Sequence, residues 1–143
     1  MRSGTNIKAA RARAGVITLG RLLGIRERRE QSLRRGIAQY CQQQAELNEQ
    51  LAASRVKRQQ LCQQLRELTQ WCGLLAPAEF SEQKDQLHQL YQQERGQQSQ
   101  ISELLEQGQQ LAEKVEEQRA LLQRNLREQE KLRILIEDES NRY

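Results

Sequence analysis

One spacing of residues, alternately four and three apart, runs without interruption from Leu19 to Cys72. Eleven of its 16 positions are apolar. An unbroken heptad phase predicts an α-helix that buries one narrow stripe against a second helix. A second run, from Phe80 to Ile136, follows the same rule with ten apolar positions out of 17. The sequence therefore predicts two long coiled-coil helices, each about 80 Å long at about 1.5 Å per residue.

The segment between the two runs, Trp71–Phe80, holds the only Pro, Trp and Phe of the chain. Gly73 can take the left-handed conformation that ends a helix, and Pro77 suits the first turn of the next one. We therefore expect an all-α fold, a long antiparallel two-helix coiled-coil hairpin over residues 18–143, with helices 18–72 and 77–139 joined by a turn at 73–76. Residues 1–17 are basic and lack a clear apolar stripe, so we expect a flexible or weakly helical arm there.

Charge is distributed unevenly along the chain. Residues 1–35 hold ten Lys or Arg and two Glu, a net charge of +8, whereas the remainder holds 13 basic and 17 acidic residues, a net charge of −4. With 36% apolar and 3% aromatic residues, the chain is poor in material for a compact core and suits solvated helices. The asymmetry predicts an anionic partner for the basic beginning.

The polar seam positions indicate how the helices pair. Residues whose numbers sum to about 152 should face each other, which places Arg58 opposite Glu94 as a core polar pair. A parallel homodimer would instead set like charges against each other in the seam. Layers near the termini match poorly at this sum, and either they fray or another protein completes them, which we prefer. The mismatched layers are Leu33–Gln118, Glu30–Leu122, Arg26–Asn125 and Leu23–Gln129.

No residue set in the sequence has the spacing of a catalytic, cofactor or metal site. His88 is the only histidine and lies beside seam leucines, where a solvated helix residue is expected. The three cysteines are odd in number and lack ligand spacing, so we expect apolar fillers in a reducing compartment. No stretch approaches the roughly 20 apolar residues that a membrane-spanning helix needs. We expect a non-enzyme without cofactors. The cysteines are Cys41, Cys62 and Cys72.

The turn carries three apolar residues that a two-helix hairpin has little mass to bury: Trp71, Leu74 and Leu75. Two interpretations remain open. Trp71 folds over Phe80 and closes the turn, or the three residues form a partner-binding surface, since Trp with flanking Leu is typical of an interface anchor.

A small Gln- and Leu-rich hairpin with the basic segment ITLGRLLGIRERREQSLRRG and the turn ELTQWCGLL resembles the FliJ/YscO family of type III secretion stalk proteins. The resemblance covers residues 17–143 and is closest over 25–35 and 67–74. Residues 1–16 extend beyond the family pattern, so Met1 need not be the true start.

The resemblance implies a non-catalytic central stalk that inserts into a hexameric secretion ATPase. It also implies a link to the export gate protein, handling of secretion chaperones, and a cytoplasmic location at the inner membrane face, held there through partners. In that role, Arg26, Arg28 and Arg29 would meet acidic groups of the ATPase ring, and the turn residues would meet the gate or a chaperone. Two alternatives stay open: a generic coiled-coil adaptor, and a tether that binds an anionic partner through the basic N-terminal region. Nucleic acid is not an expected partner because interleaved aromatic residues and a recognition fold are lacking.

Overall fold

The structure is a computed structural model that describes residues 2–142, with side chains from residue 6 onward except that of Glu82. The described residues form two α-helices, α1 (Arg2–Cys72) and α2 (Pro77–Arg142), joined by a turn at 73–76. No strand occurs among the described residues. Contacts between the two helices run antiparallel, so the predicted all-α two-helix hairpin is confirmed.

Helix α1 begins earlier than predicted. It starts at Arg2 rather than at residue 18, so residues 2–17, expected to form a flexible or weakly helical arm, belong to the helix. The seam spacing continues backwards from Leu19 through Val16, Ala12 and Ala9, and all of these are half-buried. Alanine at a seam position carries a weaker apolar signal than leucine, so the pattern recognisable in the sequence begins at Leu19. Helix α2 also runs on, to Arg142 rather than to residue 139.

The turn differs from the expected geometry. Gly73 does not adopt a left-handed conformation, and no glycine among the described residues has a positive φ. Helix α1 instead tightens in its last turn, where the N–H groups of Leu74 and Leu75 donate to carbonyls three residues earlier at 3.1 and 3.2 Å. Pro77 begins α2 as predicted, and the Phe80 N–H donates to the Ala76 carbonyl at 2.9 Å. The carbonyls of Trp71 and Cys72 at the end of α1 are therefore satisfied without a left-handed glycine cap.

The chain divides into two compact units that share both helices. We call Gln42–Glu113 the turn unit, and residues 2–41 together with 114–142 the open unit. In both units the predicted seam is the least exposed stripe: every seam position except Arg26 and Phe80 is buried or half-buried. The most buried apolar side chains include Leu61 and Leu104 of the turn unit and Leu33 and Val115 of the open unit.

The register of the turn unit is set by a close approach at Gly108. A Cβ atom on Gly108 would lie 3.1 Å from Leu47 Cδ2, so these two seam positions face each other at a residue-number sum of 155. The residue numbers of Leu51 and Leu104 also sum to 155, and both side chains line the groove that contains Leu47 and Gly108. The predicted sum of about 152, which placed Gln44 opposite Gly108, is wrong by three residues.

The open unit has the same register. The Gln129 Nε2 group donates to the Arg26 main-chain carbonyl at 3.4 Å, again at a sum of 155, and Lys114 Nζ lies 5.9 Å from the Tyr40 ring centroid. At this sum the four layers that were predicted to be mismatched become matched, because in them apolar positions meet apolar ones and polar positions meet polar ones. The resulting layers are Leu33–Leu122, Glu30–Asn125, Arg26–Gln129 and Leu23–Leu132.

Candidate functional site: interaction surfaces of the two units

A hydrogen-bonded polar cluster occupies the seam of the open unit. Gln129 is fully buried, and its Nε2 group donates to Asn125 Oδ1 at 2.7 Å and to Glu30 Oε1 at 2.9 Å. Its Oε1 atom accepts from Arg133 Nη2 at 3.0 Å. Both ends of this buried amide are therefore paired, which offsets the cost of removing it from water.

Ion pairs surround this polar cluster. Arg34 Nε lies 2.8 Å from Glu30 Oε2, and Arg26 Nη1 lies 2.6 Å from Glu128 Oε2, although the second contact lacks hydrogen-bond geometry. The hydrogen bond from Arg34, followed by that from Gln129, lowers the pKa of the Glu30 carboxyl below its ordinary value. Glu30 is therefore held in its charged form by groups from both helices.

The three arginines expected to meet an ATPase ring do not form one cluster. Arg26 and Arg29 line the same groove, whereas Arg28 is about 160° around the helix from Arg26 and its Nε donates to the Gly24 carbonyl at 3.3 Å. Arg26 is engaged with Glu128, but Arg29 is exposed and makes no ion pair among the residues that the structure describes. Arg29 is thus the most available of the three for a partner.

The core polar pair lies in the turn unit. Arg58 Nε donates to Glu94 Oε1 at 3.0 Å, with the Glu94 side chain 15% exposed and that of Arg58 42% exposed. In the observed register the two residues belong to neighbouring layers, and the length of the arginine side chain bridges them. The contact joins α1 to α2 while leaving the guanidinium partly in water.

The apolar residues at the turn differ in exposure. Trp71 is 49% exposed and Leu74 is 87% exposed, whereas Leu75 is half-buried. Trp71 lines a shallow groove together with Leu68 and Leu90. Neither Leu74, three residues further along the chain, nor Phe80 lines that groove. The structure therefore offers two apolar features at the turn, a tryptophan along the helix pair and a leucine at its tip.

Sequence reasoning missed the flank of the seam. In heptad notation the seam residues are a and d, and g is the residue that directly precedes each a. The g residues of both helices lie on one side of the pair, as shown by a groove that Arg29, Leu121 and Glu128 line together. We call this side of each unit its g flank. The pattern is visible in the sequence once the register is known.

Residues with ligand chemistry are scattered over the described chain. His88 is exposed, Cys72 is buried, and Cys41 and Cys62 are half-buried free thiols. Across residues 2–142, no group of three or more His, Cys, Asp or Glu side chains is placed to hold a metal ion. Neither helix, over the same residues, contains a stretch apolar and long enough to cross a membrane.

Fold and surfaces together define an antiparallel two-helix coiled coil with a basic open unit and an exposed apolar turn. No protein-family model, curated protein or solved structure matches the chain. The open unit holds 17 basic and 9 acidic residues, a net charge of +8, and the turn unit holds 6 and 10, a net charge of −4. The two units therefore suit partners of different chemistry.

Proposed function

We propose that this protein is a non-catalytic central stalk of a type III secretion system. In this role the open unit inserts into the hexameric secretion ATPase, and the turn contacts the export gate protein and secretion chaperones. The resemblance of residues 17–143 to the FliJ/YscO family motivates the proposal. The observation that carries it is the segregation of charge on an antiparallel helix pair, +8 in the open unit against −4 in the turn unit.

The open unit supports docking to an acidic surface. Arg29 is exposed without an ion pair among the described residues, and Arg26 and Arg124 share one carboxylate, Glu128, so positive charge is in excess. An acidic ring surface would attract this unit at long range and fix its orientation at contact. Such docking is screened by salt.

The turn supports a second contact of apolar character. Trp71 and Leu74 together expose more apolar surface than a solvated turn requires, and residues of these types often carry most of an interface energy. A gate protein or a chaperone with an apolar groove is the partner that this surface fits. Association through these partners places the protein at the cytoplasmic face of the inner membrane.

Reversal of the charges on the open unit tests the proposal. The rate of ATP hydrolysis by the secretion ATPase is measured in a reconstituted mixture. The triple variant Arg26→Glu, Arg28→Glu, Arg29→Glu should stimulate that rate at least tenfold less than the wild-type protein does. Because Arg28 lies away from the groove, Arg28→Glu alone should have the smallest effect of the three single variants. Circular dichroism should show unchanged helix content.

Trp71→Ala is the matched variant at the turn. It should leave ATPase stimulation intact and weaken binding to the gate protein or a chaperone, measured by co-purification. If Trp71→Ala abolishes stimulation while the triple charge reversal has no effect, the assignment of the two surfaces is wrong. If neither variant changes any binding, the stalk function itself is rejected.

Two alternatives rest on one observation each. The 87% exposure of Leu74 favours an adaptor that binds proteins through its turn without any ATPase. The net charge of +8 favours a tether to an anionic partner, which would bind anionic vesicles in a salt-sensitive manner. Loss of vesicle binding on deletion of residues 2–35, together with no effect on any secretion ATPase, would select the tether.

A further inference from the structure

The g flanks of the two units have opposite character. In the turn unit, ten g residues lie between positions 43 and 107, all of them exposed; seven are glutamine, and the other three are Lys57, Trp71 and Glu79. In the open unit the same positions hold Leu22, Leu121 and Leu135, exposed to 46%, 43% and 48%. On the g flank, large apolar side chains thus face solvent at three positions of the open unit, and in the turn unit only at Trp71, beside the turn.

The centre of the g flank of the open unit is a groove with charged walls. Its volume is about 240 Å³, and Leu33 and Leu121 line it together with Arg26, Arg29 and Arg124. Glu128 is the single carboxylate in the groove, and it lies 2.6 Å from Arg26 and 3.6 Å from Arg124. Three guanidinium groups against one carboxylate leave a net charge of +2 over an apolar floor.

Apolar residues lie on both sides of the charged centre of this groove: Leu121 at one end, and Leu22 and Leu135 together at the other, towards the open end, because α1 and α2 are antiparallel. Leu22 lies seven residues before Arg29, and Leu135 lies seven residues after Glu128, so each pair is separated by two helical turns, about 10.5 Å. Ile25, 55% exposed, is adjacent to Leu22 on the same side of α1. The order along the flank is therefore apolar, basic, apolar, with the period of an α-helix.

We propose that the g flank of the open unit is the docking site for an acidic amphipathic α-helix of a partner protein. Leucine-type side chains of that helix pack on Leu22, Leu121 and Leu135, and a carboxylate between them pairs with Arg29. This inference concerns the face and the chemistry of its occupant, and it stands whether or not the partner is a secretion ATPase.

Charge argues against a second copy as the occupant. Two open units brought together would each carry a net charge of +8, and the groove of each would meet the arginines of the other. An acidic helix instead neutralises the excess of +2 in the groove while it covers the exposed leucines. The required partner thus combines an apolar stripe with negative charge beside it.

The test uses the full chain and two synthetic 21-residue helical peptides. Both carry the same leucine stripe at heptad spacing. One has glutamate at every flanking position and the other has lysine there. Fluorescence anisotropy at low and at physiological salt measures binding of each labelled peptide. The glutamate peptide should bind, more weakly at higher salt, and the lysine peptide should bind at least tenfold more weakly.

Adjacent residues on α2 provide a matched pair of variants. Leu135 is on the g flank and Ile134 is on the back of the helix, with exposures of 48% and 49%. Leu135→Gln should weaken binding of the glutamate peptide at least fivefold, and Ile134→Gln should leave it within twofold. Arg29→Glu and Arg35→Glu form a second pair, since both side chains are exposed and only Arg29 lines the groove. Arg29→Glu should cause the larger loss, tenfold or more.

Three results would overturn the inference. Equal binding of the two peptides would show that negative charge is not recognised, and equal effects of Leu135→Gln and Ile134→Gln would show that the flank is not the site. Self-association of the wild-type chain in sedimentation, abolished by Leu135→Gln and unaffected by Ile134→Gln, would assign the face to a second copy. Circular dichroism on every variant separates lost binding from lost helix.

Discussion

The turn unit and the open unit share one seam spacing and one register but differ in what borders the seam. Glutamine covers the g flank of the turn unit except at Lys57, Trp71 and Glu79, whereas leucines and arginines border the seam on that side of the open unit. An uncharged, hydrated amide surface gives a partner helix neither apolar contact nor charge attraction. The seam therefore determines that the chain forms a helix pair, and the flank determines where that pair can be recognised.

The polar layers of the two units differ in construction. The turn unit relies on one ion pair, Arg58–Glu94, whose guanidinium remains partly in water. The open unit buries a neutral amide, Gln129, and surrounds it with groups that satisfy both of its ends. A hydrogen-bonded network around a buried amide fixes one register because a slip by one layer would leave the buried Asn125 and Gln129 side chains unpaired.

The largest expected effect tests the shared register. In a chain whose native cysteines are replaced by alanine, Leu47→Cys with Gly108→Cys should form an intramolecular disulfide under mild oxidation, because the two positions face each other. Gln44→Cys with Gly108→Cys is the control and should crosslink much more slowly. Non-reducing electrophoresis at high dilution measures both. Faster crosslinking of the control pair would instead support the predicted register, in which the numbers of facing residues sum to about 152.

A second prediction compares buried amides of the two units. Gln129→Ala should lower the free energy of unfolding by about 1–3 kcal/mol, because Asn125 and Glu30 lose their donor inside the seam. Gln97→Ala, at a half-buried seam position of the turn unit, should cost less. Urea unfolding followed by circular dichroism measures both. Equal costs would mean that the network adds no stability of its own.

A third prediction concerns the ion pair of the turn unit. Arg58→Leu leaves Glu94, only 15% exposed, without its partner and should destabilise the helix pair. Adding Glu94→Leu should restore the wild-type free energy of unfolding or exceed it. The coupling energy should be about 0.5–1 kcal/mol, since the arginine is partly solvated. A double variant no more stable than Arg58→Leu alone would contradict the cross-helix role of the pair.

The smallest effect is a pH dependence confined to the open unit. The lowered pKa of Glu30 means that its contribution to folding is present above its unfolded pKa and is lost as pH falls through its folded pKa. Glu30→Gln should therefore reduce the loss of stability below about pH 4.5, measured by urea unfolding at several pH values. Glu46→Gln, at an exposed site of the turn unit, is the control. Identical pH profiles for both variants would remove Glu30 from this role.

Much of the fold was predictable because the heptad signal is local. Seam positions from Leu19 to Cys72 and from Gln83 to Ile136, and the start of α2 at Pro77, follow directly from the sequence. The register differs from the predicted one because Arg58 pairs with Glu94 across neighbouring layers, so this pair does not mark two positions that face each other. The four- and three-residue steps of both seams coincide layer by layer at a sum of 155, but not at a sum of about 152. That constraint would have placed Arg26 opposite Gln129.

The surfaces were less predictable for the same reason. The arginines at 26, 28 and 29 are close in sequence, but successive helix residues are about 100° apart, so proximity along the chain does not give a common face. Leu121 and Leu135 cannot be recognised from the sequence as part of a site, because isolated exposed leucines are common on protein surfaces. Their meaning depends on a groove built from both helices, which a single helical pattern does not reveal.

The division into two units also sets an order of events during protein synthesis. The turn unit is one continuous segment, Gln42–Glu113. The open unit instead forms only when residues 114–142 pair with residues 2–41, which are synthesised much earlier. Because synthesis proceeds at about 5–20 residues per second, residues 2–41 are made several seconds before the residues of α2 with which they pair. The turn unit can pair first and so shorten the loop that the open unit must close. The leucines of the g flank of the open unit, which come from both helices, are thus brought together only after the whole turn unit has been synthesised.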